Sequence, residues 1–99
     1  MVYRVVIAKS AQGAYKKLTV RKRSAVKRAM RKYLVHQPKK QSKSRIKRLR
    51  GLRQPQYRLR VDRMRVFYDV HDAKRRVEVL GFAEKSDAEI WLKQHRVPE

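Results

Sequence analysis

Hydrophobic positions along this chain follow first a strand period, then a helical one, then a strand period again. Val2 to Ala8 is rich in Val, Ile and Tyr and predicts a strand, with Ser10 placed to cap the element after it. Ala11, Ala14, Tyr15 and Leu18 then recur at the i, i+3, i+4, i+7 spacing of an amphipathic helix. After a break near Thr19 the pattern resumes in Val26, Met30, Tyr33 and Leu34, which predicts a second helix closed by Pro38. QPKKQSKSR reads as a polar connection with nothing to bury, and RIKRLRGLRQPQ as a loop punctuated by Gly51 and Pro55.

From Tyr57 the period becomes two. Tyr57, Leu59 and Val61 fall on one face of a strand and Arg58 and Arg60 on the other. Asp62 and Arg63 turn the chain. The return strand, Met64 to Val70, sets Arg65, Phe67 and Asp69 against Val66, Tyr68 and Val70. A turn at HDAKRR leads to a third strand, Val77 to Phe82, and a last helix carries Ala88, Trp91, Leu92 and His95 on one face. Ser86 with Glu89 has the spacing of a capping box that would start that helix. The fold class expected is α+β, in the order β-α-α-β-β-β-α, with helices packed on one face of a mostly antiparallel sheet. No internal repeat or boundary divides residues 1–99, so a single domain is expected.

Charge changes the picture more than any other property. The formal net charge is +21, and it is unevenly placed: residues 1–61 hold 21 Lys or Arg and no acid, while residues 62–99 hold 8 of each sign. Solvated surfaces normally mix both signs, so this asymmetry points to a strongly negative partner, and nucleic acid is the usual one. With 41% hydrophobic residues the chain can still form a core. It has no cysteine, which excludes a disulfide framework and a thiolate metal site. His36, His71 and His95 include no pair at metal-ligand spacing, and no metal or other cofactor is implied. No apolar run approaches the roughly 20 residues that span a bilayer, and MVYRVVIAKS reads as a strand rather than a signal peptide. A soluble cytoplasmic protein with no membrane partner is expected.

The arginine-studded hairpin carries a resemblance. Arg48-Leu49-Arg50-Gly51, Tyr57-Arg58-Leu59-Arg60, Arg65-Val66-Phe67-Tyr68 and Val77-Glu78-Val79-Leu80 follow one another as in the RelE/ParE superfamily of toxins from bacterial toxin-antitoxin pairs. The resemblance covers most of the chain, and the hairpin is its specific part. It implies a RelE-like fold and one of two activities: cleavage of mRNA in the ribosomal A site, as in RelE-like members, or inhibition of DNA gyrase, as in ParE-like members. The arginines favour the first. By motif, Arg58, Arg60, Arg65 and Lys85 correspond to the basic residues that gather around the scissile phosphate in the RNA-cleaving branch. The resemblance also implies a cognate antitoxin, with operator DNA reached only through it, and the ribosome and mRNA as partners.

Attack of a ribose 2′-hydroxyl on the adjacent phosphate builds up negative charge that preorganised cations stabilise, and Arg offers bidentate hydrogen bonds to phosphate oxygens. Arginines at i and i+2 of one strand with a third on its partner need no flexible loop to converge. A solvated strand face that guards against aggregation is the plain alternative. Lys39, Lys40, Lys43, Arg45, Lys47, Arg48, Arg50 and Arg53 suit broad contact with RNA phosphates, which position without specifying sequence. One departure stands out. Many RNA-cleaving relatives have a C-terminal tyrosine, but KSDAEIWLKQH contains none; Trp91 is the nearest aromatic and an indole is a donor only. The general base is left open, with His95 or a lysine among the arginines as candidates. A non-cleaving ribosome- or RNA-binding protein is the remaining alternative.

Overall fold

The computed structural model describes residues 2–99. In chain order the elements are β1 (Arg4–Ile7), α1 (Lys9–Lys17), α2 (Val20–Leu34), β2 (Ile46–Arg48), β3 (Leu52–Gln54), β4 (Tyr57–Val61), β5 (Met64–His71), β6 (Arg76–Glu84), α3 (Ala88–His95) and β7 (Val97–Pro98). The main sheet runs β1-β6-β5-β4-β2, antiparallel except for β1, which lies parallel to β6; β3 and β7 form a separate two-stranded ladder. The architecture is α+β with a mostly antiparallel sheet, as the alternation of periods predicts.

The core lies between the sheet and the first two helices. Leu59, Val66, Tyr68, Val77 and Val79 from the strands meet Val26, Met30 and Leu34 of α2 and Ala11 of α1. Full burial of a side chain such as Leu59 or Val66 stabilises the fold by about 1.5–3 kcal/mol. Thr19 starts α2: its hydroxyl accepts from the Lys22 amide at 3.2 Å, satisfying one of the helix's free N–H groups. Between β4 and β5 the chain reverses in two residues, and Asp62 takes the left-handed conformation (φ 54°) that Asp tolerates better than most residues. No helix among the described residues is long and apolar enough to cross a membrane.

Several expectations are corrected. Ser10 does not cap α1; the cap position is Ala8, and Ser10 lies inside the first turn. Ser86 does not start α3 either. It sits in a short 3-10 turn, and Asp87 occupies the cap position without a side-chain bond. The basic loop before Tyr57 contains two strands: β2 pairs with β4 and adds a fifth strand to the sheet, and β3 pairs with β7. Both have only three residues, too few for a period to show. Pro38, expected in a segment with nothing to bury, is fully buried, and its carbonyl accepts the Tyr68 hydroxyl at 2.6 Å. The helices also do not share one face. Trp91 of α3 lies over Phe67 and Gly81, whose register positions put them on the side opposite Val66 and Phe82.

Candidate functional site on the arginine face of the sheet

Alternation in β4 and β5 divides their side chains between the core and the opposite face. Cross-strand register sets Arg60 beside Arg65 and Arg58 beside Phe67, while Lys47 of β2 lies opposite Arg58 on the outer side. The resulting face has three guanidinium groups on two strands, with Phe67 beside them buried beneath Trp91. Phe67 and Trp91 stack with ring centres 4.5 Å apart and planes 4° from parallel, and His95 continues the stack at 4.2 Å. The seat is Gly81: a Cβ there would come within 2.1 Å of the indole, so only glycine lets α3 lie this close.

The three arginines differ in what holds them. Arg65 is 6% exposed, and its Nη1 donates to the carbonyls of Asp62 and Met64 at 3.0 Å each, so part of its guanidinium is spent on the hairpin turn. Arg58 is half-buried, and its Nε is buried with no partner. Arg60 is exposed. Burial first, and the neighbouring Arg60 charge second, lower the pKa of Arg58; burial, then Arg58 and Arg60, lower that of Arg65. Arg58 and Arg65 thus carry their charge against burial first and like charge second, and no ion pair joins any of the three to a carboxylate among the described residues. An anion arriving here would gain charge-assisted hydrogen bonds and relieve like-charge repulsion.

Lys85 lies at the same end of the sheet. Its amide donates to the Arg63 carbonyl at 2.7 Å, which anchors it beside the β4–β5 turn, and its side chain is exposed. No hydrogen bond or ion pair links that side chain to the three arginines among the described residues.

The basic segment from Lys39 to Arg53 divides in two. Arg48 is a scaffold residue: its guanidinium donates to the carbonyls of Leu49, Leu52 and Gln56, lies over the Tyr57 ring and faces Glu99 at 3.5 Å. Lys39 pairs with Asp72 at 2.7 Å, and Arg45 donates to the Arg60 carbonyl while lying over Tyr33. Lys40, Lys43, Lys47, Arg50 and Arg53 are exposed around the β2 and β3 edge. His36 sits apart from the arginine face, and His71 lies at the far end of that face beside Glu78. His95 is held by its own helix, with Nδ1 2.8 Å from the Trp91 carbonyl, which makes Nδ1 the donor and leaves Nε2 free to accept.

Two contributors escaped the sequence reading. Asp69 is buried and binds the Gln56 amide at 2.8 Å and the Gln54 side chain at 3.0 Å, so it fixes the loop that feeds β4. Gly81 within a strand was the available signal for the close approach of α3.

No family model matches the sequence, and neither does any curated protein. Solved structures do match. A chain of the archaeal RelE-RelB complex from Pyrococcus horikoshii OT3 is 26% identical with a TM-score of 0.68, over 86% of this chain and 97% of that one. A double mutant of E. coli toxin RelE in the free state is 24% identical with a TM-score of 0.70, over 92% of both chains. A chain of the Mycobacterium tuberculosis RelBE2 toxin-antitoxin complex is 23% identical with a TM-score of 0.68, over 85% of this chain and 99% of that one. Over most of its length, then, this chain has a fold similar to that of RelE.

Proposed function

We propose that this chain, as one domain, is the toxin of a toxin-antitoxin pair and a ribosome-dependent endoribonuclease that cleaves mRNA in the A site. The observation that carries this reading is the cluster of Arg58, Arg60 and Arg65 on a RelE-like sheet face, uncompensated by carboxylate and with a buried guanidinium nitrogen lacking a partner. Phosphate is the anion whose geometry a set of guanidinium groups fits best. Arg58 and Arg60 would hold the scissile phosphate and its developing charge, Arg65 would keep the turn in shape while adding to the positive field, and Lys85 would reach in from the end of β6. The exposed lysines and arginines of the β2–β3 segment would position the protein on ribosomal RNA, giving strongly salt-dependent binding.

A cognate antitoxin is the second partner in this reading, with operator DNA contacted only through it. The similar chains from toxin-antitoxin complexes support that assignment. A net charge of +21 would attract an acidic segment of such a protein. Cytoplasm is where both partners would be met.

A second reading rests on a specific observation. The last helix has no phenol, and Arg65 is partly engaged by its own turn, which favours a protein that occupies the ribosome or RNA without cutting. Primer extension on a defined mRNA in a purified translation system separates the two. Cleavage within the A-site codon is expected only with ribosomes present. It should fall at least about tenfold, or 1.4 kcal/mol of transition-state stabilisation, in both Arg58→Ala and Arg60→Ala. Intact mRNA with translation blocked would select occlusion; intact mRNA with normal translation would turn attention to gyrase.

A further inference from the structure

On the other side of edge strand β2 lies a second basic feature. Ile46 points to the core side, as its register partner Leu59 does, and it forms one wall of a cavity of about 270 Å³ beneath the end of α2. Lys32, Tyr33, His36, Lys40 and Arg45 complete the part that matters, and no carboxylate lines it. Small-ligand pockets start at roughly 300 Å³, so this one has room for a single base-sized group and not for a folded segment. Its interior combines two chemistries. The Tyr33 ring and Ile46 give an apolar wall, while Lys32 Nζ and the Arg45 guanidinium each sit 5.4 Å from the centre of the ring.

An aromatic ring with cations lying over it, beside an apolar wall, fits a group that is aromatic in one part and anionic in another. Unstacked bases of RNA meet that description, since they stack on aromatic rings or guanidinium planes while their phosphates seek cations. We propose that this cavity receives one unstacked nucleotide of RNA, the base against Tyr33 and the Arg45 plane and the phosphate between Lys32 and Lys40. The proposal rests on the reading of this chain as an RNA-binding protein, and adds a site on the opposite side of the sheet from Arg58. Lys43 and Lys47, exposed along the edge between them, would carry the backbone from one side to the other.

The test is titration of the full-length chain with adenosine 5′-monophosphate, following the ring resonances of Tyr33 and His36 by NMR, beside separate titrations with ribose 5-phosphate and adenosine. Saturable shifts are expected, with the nucleotide at least about tenfold tighter than either half. Lys40→Glu should weaken it by at least about tenfold, and Lys93→Glu, at an exposed position of α3, should change it by less than about twofold. A single-stranded hexauridylate should displace the nucleotide.

Equal binding of ribose 5-phosphate would reduce the cavity to an anion site and overturn the proposal. Failure of the hexauridylate to compete would mark a pocket for free nucleotide instead, and overturn it too. So would absence of shifts with the nucleotide, whether or not an acidic peptide containing phenylalanine produced them. The titration contains no ribosome, so its failure is separate from loss of A-site cleavage.

Discussion

The face of the sheet that carries α3 has two ends that solve the problem of charge in opposite ways. Toward the β4–β5 turn stand Arg58, Arg60 and Arg65, with no acid paired to them among the described residues. Toward the other end, Asp69 and Glu78 face each other in register, His71 lies beside Glu78, and Asp69 is tied to Gln54 and Gln56. One end is satisfied from within the chain. The other leaves its charge for something external. A structural polar cluster and a binding cluster can thus be distinguished on a single face by asking where their partners are.

Breaking the satisfied end should have the largest effect on stability. Asp69→Ala orphans the Gln56 amide and the Gln54 side chain, and at about 1–3 kcal/mol per buried unpaired group a loss of about 2–4 kcal/mol is expected in urea unfolding. Gly81→Ala comes next. Its Cβ would overlap the Trp91 ring and push α3 away from the sheet, for a loss of about 1–3 kcal/mol by the same measurement. At the unsatisfied end the sign should reverse: Arg58→Ala removes a cation disfavoured by burial first and by Arg60 second, and should leave stability unchanged or slightly raised while lowering cleavage. Loss of stability in that variant would mean that Arg58 supports the fold more than it serves a ligand.

The smallest effect is a matter of pH and compares two carboxylates three residues apart. Burial raises the pKa of Asp69 above 3.8 despite its hydrogen bonds, whereas the bonds from Lys39 and Tyr3 lower that of Asp72. A raised folded-state pKa favours folding most below the unfolded value, and that contribution is lost as pH rises through the folded pKa; a lowered one favours folding above the unfolded value and is lost as pH falls through the folded pKa. On acidification toward pH 3.8, wild type should therefore gain stability relative to Asp69→Asn. Below pH 3.8 it should lose stability relative to Asp72→Asn. Thermal unfolding at a series of pH values reads both, and parallel profiles would remove either carboxylate from the pH response.

Much of this was legible in the pattern of residues. Strict alternation from Tyr57 to Val70 placed the three arginines on one face, because a side chain in a strand has only two directions to choose from. The helices α1 and α2 were visible in their apolar stripes. Less visible were features that depend on contacts distant in sequence. β2 and β3 are defined by their partners rather than by a period, and Arg48 reads as one more basic residue until the carbonyls around it are seen. Likewise, nothing local to Tyr33 or Ile46 announces a cavity between them. The inward turn of Arg65 is of the same kind: its partners are carbonyls, which every residue carries and no sequence pattern displays.

The stacking of Trp91 on Phe67 has an optical consequence. It is the one tryptophan in the sequence, held between a phenyl ring and the imidazole of His95 and seated on Gly81. Lifting α3 from the sheet would carry the indole into water and shift its emission to longer wavelength. Phe67 is both the floor of that stack and the cross-strand neighbour of Arg58, so the fluorophore stands one residue away from the cationic cluster. Events on the arginine face can be followed in the unlabelled protein, by light from a ring that the fold already keeps in place.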